Sequence, residues 1–194
     1  MPDTVADKSL LRARLREDRR QLSEAHRNSA AQALCHHVVD LPCWSQARRV
    51  ALYMAGDGEI PTTPLAALCR SAEKQLFLPV MGGDRTLSFA TWARDVPLVR
   101  NDFGIEEPPA EAETVDVVQL DIIFMPLVGW DRQGGRLGMG GGYYDRSLNG
   151  VRGPLLVGLA YSLQETSPLP RDEWDVPLDF VVTELATHCC RPAD

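Results

Sequence analysis

The sequence predicts an α/β fold: a single layered domain, residues 1–194, in which helices flank a mostly parallel central sheet. Short apolar runs alternate along the chain with helical or irregular connections, which is the order of elements in layered α/β domains. The runs 121–125 and 155–160 are almost continuously apolar, as in strands that are covered on both faces. The chain is long enough for one domain with a full core, and we find no internal repeat or linker.

Four helices are predicted. Residues 5–20 are rich in good helix formers, and basic side chains recur there at every fourth position, so they share one helix face. Ser23 is the predicted N-cap of a second helix, which Pro42 ends. A helix that starts with a proline is predicted over 62–72, and a short one over Tyr143–Leu148.

Short apolar or alternating runs predict six strands, at 50–54, 76–80, 87–92, 121–125, 155–160 and 180–183. The acidic, proline-rich stretch 93–118 has little pattern and predicts a long surface connection. His188-Cys189-Cys190 is expected to be a tail, because a structural zinc site needs a second pair of ligands.

Composition and charge exclude several classes of function. A net charge of −7 argues against nucleic-acid binding, although residues 8–20 hold six basic and two acidic side chains, a patch suited to a small anion. No apolar stretch approaches the roughly 20 residues that span a bilayer, and the N-terminal residues lack the apolar core of a signal peptide. Five cysteines without CxxC spacing predict reduced thiols. We therefore expect a cytoplasmic monomer without membrane or nucleic-acid partners.

The most informative segment is Arg136-Leu-Gly-Met-Gly-Gly-Gly-Tyr-Tyr-Asp145, which follows the predicted strand at 121–125. Glycines let backbone N–H groups crowd against a ligand and form a concave anion site. The arginine can contact a phosphate through its planar fork, and the aspartate can hold a magnesium ion that neutralises the same phosphates. The segment thus has the parts of a nucleotide phosphate site at the carboxyl end of a strand.

Two common nucleotide motifs do not match this segment. A Walker loop requires Lys-Ser or Lys-Thr after its last glycine. The dinucleotide fingerprint requires a third glycine where Tyr143 stands. A glycine-rich turn with only a local role stays open as an alternative.

Further segments, taken together with the glycine loop, resemble the 5-formyltetrahydrofolate cyclo-ligase family, bacterial type, from about Lys8 to Glu184. The segments that carry the resemblance are Lys8-Ser-Leu-Leu-Arg12, Glu59-Ile60, Asp121-Ile-Ile-Phe-Met-Pro126, Arg136 to Arg146, and Asp175-Val-Pro-Leu-Asp179.

The resemblance implies an enzyme that uses ATP and Mg²⁺ to convert 5-formyltetrahydrofolate into 5,10-methenyltetrahydrofolate. The formyl oxygen is phosphorylated, the neighbouring folate nitrogen attacks the same carbon, and phosphate leaves. Phosphoryl transfer asks a protein mainly for positioning and charge neutralisation. Consistently, the sequence shows no Ser-His-Asp or Cys-His arrangement.

The resemblance also implies roles for particular residues, and it places the basic N-terminal helix near the active site. ATP contacts are assigned to Lys8, Arg12, Arg136, Leu137, Gly138, Met139, Gly140, Gly141, Gly142, Tyr143 and Tyr144. Folate contacts are assigned to Met54, Glu59, Met139, Gly140, Gly141, Gly142 and Tyr143. Asp145 and Asp175 are the implied magnesium ligands, and Lys8, Arg136 and Asp145 are the implied catalytic residues.

Several assignments have structural alternatives. A carboxylate at Glu59 suits the paired N–H donors of a pterin edge, but it could also be a helix-start acid. Met54 could equally belong to the core. Arg14, Arg19 and Arg20 are expected to be a solvated basic face of the first helix.

Some relatives carry basic residues where this chain has Met139 and Gly141, so its phosphate site would rely more on Lys8, Arg136, backbone N–H groups and magnesium. In the same family, some relatives place a tryptophan against the substrate in the segment that holds Phe103.

Two other classes of function remain open at this point. One is a binding protein that keeps the folate and nucleotide sites but regulates instead of catalysing. The other is an enzyme related to sugar-phosphate isomerases or acyl-transferases, which would need no ATP.

Overall fold

An eight-stranded mixed sheet lies at the centre of the computed structural model, which describes residues 4–190. The helices are α1 (Thr4–Arg20), α2 (Glu24–Val38), α3 (Thr63–Ser71) and α4 (Tyr143–Leu148). The strands are β1 (Arg49–Ala51), β2 (Gln75–Met81), β3 (Leu87–Thr91), β4 (Val99–Arg100), β5 (Glu106–Glu107), β6 (Thr114–Val115), β7 (Ile122–Pro126), β8 (Gly129–Trp130), β9 (Arg136–Leu137), β10 (Leu155–Leu159), β11 (Phe180–Val182) and β12 (Thr187–Cys189). Two 3₁₀ helices span Val117–Gln119 and Ser162–Gln164.

The strand order of the large sheet is β12-β11-β10-β7-β1-β2-β3-β6. The strands from β11 to β2 run parallel, while β12 pairs antiparallel with β11 on one side and β3 pairs antiparallel with β2 on the other. The last strand, β6, pairs antiparallel with β3. The chain starts at β1, adds β2 on one side, and later adds β7, β10 and β11 on the other. The winding direction therefore reverses between β1 and β7. Open α/β sheets bind their ligands outside the carboxyl ends of the strands at such a reversal.

Two hydrophobic cores lie on opposite faces of the sheet. The first contains Leu34 of α2 and Cys69 of α3, and the second contains Leu148 of α4. Neighbouring residues of β7 alternate between them, since Phe124 belongs to the first core and Met125 to the second. A central sheet covered on both faces by helices confirms the predicted α/β class.

A third, small cluster attaches α1 to the carboxyl edge of the sheet. Leu15 of α1 packs there with Val128, Leu137 and Leu169. Gly129 allows this close approach, because a Cβ at that position would lie 2.6 Å from Leu15 Cδ1. The helix consequently lies against the segment that follows β7, with its basic residues next to that edge.

Most of the predicted elements are present. The ranges of α1, α3 and α4 differ from the predicted ones by at most one residue at each end. Ser23 caps α2, because its Oγ accepts a hydrogen bond from the His26 N–H at 3.1 Å. The first predicted strand, 50–54, is shorter in the structure and covers Arg49–Ala51. None of the helices within residues 4–190 is long and apolar enough to cross a bilayer.

Two sequence-based expectations need correction. The stretch 93–118 contains β4, β5, β6 and a 3₁₀ helix, so it is more regular than a plain surface connection. The expectation that His188-Cys189-Cys190 forms a tail was wrong, because residues 187–189 pair antiparallel with β11. The His188 ring also lies 4.8 Å from the Trp130 ring. Three residues are too few to show strand periodicity in a sequence.

Substitution Leu15→Ala is expected to lower the free energy of unfolding by about 2–5 kcal/mol, because it deletes buried methyl groups and leaves a cavity under α1. Leu15 is 2% exposed, whereas Leu10 on the same helix is 71% exposed. Thermal denaturation measures the effect, with Leu10→Ala as the matched control that should leave the melting temperature unchanged. Equal stability of the two variants would show that α1 does not depend on this cluster.

Candidate functional site

Charged side chains from α1 meet two loops at the carboxyl edge of the sheet, one after β1 and one after β7. Arg12 Nε donates a hydrogen bond to the carbonyl oxygen of Gly138 at 2.8 Å. One turn further along the helix, Arg16 Nε donates to Asp57 Oδ2 at 2.8 Å. Since β1 and β7 flank the reversal in the sheet, α1 crosses the place where this fold class binds its ligands.

The glycine loop leads into α4, as the sequence predicts, and it follows the β8–β9 hairpin, which was not predicted. Gly140 and Gly142 have φ values of 97° and 68°, in the region that favours glycine. A Cβ at Gly142 would also lie 2.9 Å from Arg146 Nη1. The Arg146 side chain itself donates to the carbonyl oxygen of Gly141 at 2.8 Å, which fixes the start of α4. Gly140 and Gly142 are therefore required for the shape of this loop, whereas a Cβ at Gly138 would meet nothing closer than 3.9 Å.

Lys8 lies beside one of the two implied magnesium ligands. Its Nζ is 3.0 Å from Asp172 Oδ2 and 3.6 Å from Asp175 Oδ2. Asp175 Oδ2 also accepts a hydrogen bond from the Asp172 N–H at 2.9 Å, which closes the loop around these carboxylates. Asp172 was not predicted as a site residue.

Arg136 forms an ion pair with Asp145, the other implied magnesium ligand. The same oxygen, Asp145 Oδ1, accepts a hydrogen bond from the Val176 N–H at 3.1 Å. The structure therefore joins the glycine loop, α4 and the loop of Asp175 at one place. Among residues 4–190, no three His, Cys, Asp or Glu side chains group together as a ready-made metal site.

One donor of Arg136 has no partner within the described part of the chain. Its Nε is buried and forms no hydrogen bond there. A buried donor without a partner costs free energy. An oxygen atom of a water or of an anionic ligand would remove this cost.

Glu59 lies in the loop after β1 in a largely buried position. Burial raises the pKa of its carboxyl group, while the hydrogen bond from Gly56 and the charge of Arg19 act to lower it. Glu59 Oε2 accepts from the Gly56 N–H at 3.0 Å. The hydroxyl of Tyr161 donates to the Glu59 carbonyl oxygen at 3.3 Å, and burial raises the pKa of this tyrosine to about 12. The Glu59 carboxylate is therefore held by its own loop, while the Tyr161 hydroxyl holds the Glu59 backbone.

The other side chains for which the resemblance suggests a ligand contact differ in how deeply they are buried. Met54 packs against the first core while remaining partly exposed, so it belongs to the core as one of the two alternatives expected, and its contact with folate stays a prediction. Met139 is half exposed on the glycine loop, with its Sδ 4.0 Å from Arg19 Nη2. Tyr143 and Tyr144 begin α4, and burial strongly raises the pKa of Tyr144. Phe103 lies in the β4–β5 turn and is 67% exposed.

The expectation that Arg19 belongs to a solvated helix face was wrong. Its side chain is completely buried, and Nη2 lies 2.8 Å from Asp57 Oδ2. Arg20 also forms an ion pair with Asp57, although it is partly exposed, whereas Arg14 is exposed as expected. The signal was present in the sequence, since Arg19 continues the i, i+4 row of Leu11 and Leu15 that faces the protein.

Asp57 was missed altogether. It accepts hydrogen bonds from Arg16, Arg19 and Arg20, and its φ of 51° places it in the left-handed region. Burial acts to raise the pKa of its carboxyl group, but the three arginines outweigh burial and lower the pKa to about 2. A hint lay in its position between two glycines directly after a strand, where an unusual backbone conformation is expected.

Cavity size alone would place the functional site elsewhere, at the amino ends of the strands. A cleft of about 720 Å³, lined in part by Arg70, Trp92 and Arg94, lies at the amino ends of β1 and β2 and holds none of the predicted site residues. A smaller one, of about 430 Å³, includes Asp175 in its wall. We assign the site by the convergence of charged groups at the reversal of the sheet, because that convergence supplies specific chemistry.

These features define an α/β protein in which a glycine loop and converging charged side chains lie at the reversal of a mostly parallel sheet. The chain belongs to the 5-formyltetrahydrofolate cyclo-ligase family, whose model matches residues 4–184. The resemblance found in the sequence is thereby confirmed, and it covers nearly the whole chain.

Individual relatives agree with this assignment. The 5-formyltetrahydrofolate cyclo-ligase of Haemophilus influenzae is 39% identical over 173 residues, which are 87% of this chain and 92% of the relative. That of Escherichia coli K12 is 35% identical over 174 residues, covering 87% and 96%. The NMR structure of Aquifex aeolicus 5,10-methenyltetrahydrofolate synthetase matches with a TM-score of 0.85 at 39% identity, over 96% of this chain and 94% of that one. A Mycoplasma pneumoniae synthetase matches with a TM-score of 0.75 at 26% identity, over 92% and 99%.

Substitution Asp57→Asn is expected to reduce the free energy of unfolding at pH 7 by about 2 kcal/mol. The arginine contacts that lower the pKa of this carboxyl group to about 2 also stabilise the folded state by about that amount. Because the folded-state pKa is depressed, this stabilisation is present above about pH 4 and is lost as the pH falls toward 2. Urea unfolding at several pH values measures it.

The variant should therefore show a flatter dependence of stability on pH between 4 and 2 than the parent. Asp18→Asn, which removes an exposed carboxylate from α1, is the matched control. Parallel pH profiles for the parent and Asp57→Asn would contradict the account of this ion-pair cluster.

Proposed function

We propose that this chain catalyses the ATP- and Mg²⁺-dependent cyclisation of 5-formyltetrahydrofolate to 5,10-methenyltetrahydrofolate, with release of ADP and phosphate. The observation that carries the proposal is the meeting of two half-sites along α1. A cationic half contains Lys8, Arg12 and the glycine loop, and an acidic half contains Glu59. The names of the relatives, cyclo-ligase and methenyltetrahydrofolate synthetase, supply the substrate and the product.

In this proposal the cationic half-site binds ATP. The phosphates occupy the glycine loop from Arg136 to Tyr144, where backbone N–H groups and the Arg12 side chain surround them. Lys8, on the same helix, lies beside Asp172 and would contact the outer phosphates. The structure thereby offers positive charge and a fixed backbone, which are the requirements of phosphoryl transfer.

The reaction proceeds in two steps. The formyl oxygen attacks the γ-phosphorus of ATP, the bond to the β–γ bridging oxygen breaks, and ADP leaves with the electron pair. The neighbouring folate nitrogen then attacks the activated carbon and releases its N–H proton to solvent, the carbon–oxygen bond breaks, and inorganic phosphate leaves. Lys8 and Arg136 neutralise the charge on the transferring group, and no side chain acts as a nucleophile.

The residues at the meeting point fit a magnesium ion. Asp145 and Asp175 provide hard oxygen donors on two adjoining segments, and Mg²⁺ is usually held in proteins by one or two carboxylates together with phosphate oxygens and waters. When bound, the ion would neutralise phosphate charge and free Arg136 and Lys8 from their carboxylate partners.

In the acidic half-site, Glu59 receives the paired N–H donors of the aminopyrimidine edge of the folate. Met54, Met139 and Tyr143 would supply apolar contacts to the ring system, and the glycines from Gly140 to Gly142 would allow the folate and the phosphates to approach each other. The formyl group would then lie between the two half-sites.

The test is an absorbance assay for 5,10-methenyltetrahydrofolate in the near ultraviolet, with purified protein, 5-formyltetrahydrofolate and magnesium, with and without ATP. The proposal expects the chromophore to form only when ATP is present. If the protein binds ATP but forms no product, it is a regulator. If it binds no ATP at all, the glycine loop is a structural turn.

Substitution Asp145→Asn is expected to reduce the turnover number by about a hundredfold, because it weakens the electrostatic stabilisation of the transferring phosphate. Affinity for 5-formyltetrahydrofolate, measured by equilibrium titration, should change little. Raising the magnesium concentration should restore part of the activity if the carboxylate binds the ion. Asp40→Asn, at an exposed position after α2, is the control. Normal turnover by Asp145→Asn would remove this residue from the metal site.

Substitution Lys8→Ala is expected to raise the KM for ATP by about tenfold, the effect of losing one charge-assisted contact to a phosphate. The KM for the folate should stay near the parent value. Arg14→Ala removes one positive charge from the same helix at an exposed position and serves as the control in steady-state kinetics. An effect of Lys8→Ala on the folate alone would place Lys8 outside the phosphate site.

A further inference from the structure

Arg19 connects three segments of the site from a fully buried position on α1. Its Nε donates to the Asp57 carbonyl oxygen at 2.9 Å, and its Nη1 donates to the Leu127 carbonyl oxygen at 3.2 Å. Its Nη2 donates to Asp57 Oδ2 at 2.8 Å and also lies 3.7 Å from Glu59 Oε1. The same nitrogen is 4.0 Å from Met139 Sδ. One guanidinium thus contacts the loop after β1, the end of β7 and the glycine loop.

The geometry of the guanidinium explains why this position is an arginine. Its donors lie in a rigid planar fork, so bonds to Asp57 and Leu127 on one side fix the direction of the nitrogen that faces Glu59. A lysine has the same charge but no fork, and it could not serve all of these partners in fixed directions. A buried cation is stable only with such a set of partners.

Arg16 and Arg20 provide a comparison within the same cluster. Both pair with Asp57, but both are partly exposed, with side-chain exposures of 31% and 46% against 0% for Arg19. They hold the Asp57 carboxylate from the solvent side. Arg19 alone among the three arginines approaches Glu59 within 4 Å in the described part of the chain.

We propose that Arg19, held in place by Asp57, is the positioning residue of the folate half-site and orients Glu59 toward the ligand. This inference rests on the proposed function, since it requires that Glu59 binds the folate. Glu59 uses Oε2 for the Gly56 N–H and faces Arg19 with Oε1. A carboxylate has about four acceptor sites, so both oxygens can still accept from a ligand. The neighbouring cation favours the ionised form, which can accept two N–H donors at once.

Through its contact with Met139, Arg19 also links Glu59 to the glycine loop. Met139 belongs to the glycine loop, and its partly exposed side chain reaches back to the guanidinium. Arg19 therefore keeps Glu59 at a fixed place relative to the loop that would hold the phosphates. A folate bound to Glu59 would present its formyl group at a reproducible distance from the γ-phosphate, which is what an efficient transfer requires.

The test is equilibrium binding of 5-formyltetrahydrofolate and, separately, of ATP with magnesium, by isothermal titration of the full chain. The variants are R19M, R19K, E59Q, the double variant R19M/E59Q, and R20M as the matched control, which removes another arginine from Asp57. Thermal denaturation accompanies each variant, and R19K decides the outcome if R19M does not fold.

We expect R19M to weaken folate binding about 10- to 100-fold, the effect of losing a charge-assisted interaction in a buried site. ATP affinity should stay at the parent value, R20M should bind the folate normally, and R19K should recover part of the loss. Because Arg19 acts through Glu59, the double variant should bind the folate no more weakly than the single variant with the lower folate affinity.

Three results with the Arg19 and Glu59 variants would overturn the positioning role. The first is normal folate binding by R19M or, if R19M does not fold, by R19K. The second is an equal loss of affinity for folate and for ATP. The third is a double variant whose loss of folate affinity is the sum of the losses in R19M and E59Q. Equal weakening by R20M would also overturn it, since the effect would then belong to the loop in general. If the parent protein itself binds no 5-formyltetrahydrofolate, the proposed function fails and this inference fails with it. A parent that binds and turns over, beside an R19M variant that binds normally, would refute the positioning role alone.

Discussion

The ion-pair cluster at Asp57 is the interaction on which the rest of the site depends. One carboxylate receives three arginines from a single helix, and this fixes the rotation of α1 about its axis. With α1 fixed in this way, Arg12 meets the glycine loop and Lys8 meets the acidic loop at Asp175. Lys8 and Arg19 are eleven positions apart, or about 16 Å along a helix. One helix can therefore serve both ends of an extended pair of ligands.

The charged groups of this site are paired with one another. Lys8 faces Asp172 and Asp175, and Arg136 is bound to Asp145. Such pairs compensate the partly buried charges in the ligand-free protein. Under the proposed function, magnesium would bind the carboxylates and the phosphates would bind the cations, so that each charge would exchange one partner for another. Binding of the metal and binding of the nucleotide are thus expected to favour each other.

The sequence predicted the fold class, the limits of α1, α3 and α4, and the position of the glycine loop, because these depend on local periodicity and on glycine spacing. The expectation that Pro42 ends the second helix was wrong, because α2 ends at Val38 and the next residues form tighter turns. The roles of Arg19 and Asp57 could not be predicted in the same way, because they come from a contact between two residues that are 38 positions apart in the sequence. The identity of Arg19 as a charged residue suggested solvent, although its place in the row of Leu11 and Leu15 suggested the interior. The strand β12 was missed because its stability comes from pairing with β11 rather than from its own three residues.

The most direct test of this account is a crystal structure of the protein with magnesium, 5-formyltetrahydrofolate and a non-hydrolysable ATP analogue. The account predicts phosphates in the loop from Gly138 to Gly142 within hydrogen-bond distance of Lys8, and the pterin edge on Glu59. The formyl oxygen should then point toward the γ-phosphate. A nucleotide in the cleft beside Arg70 and Trp92, at the opposite edge of the sheet, would contradict it.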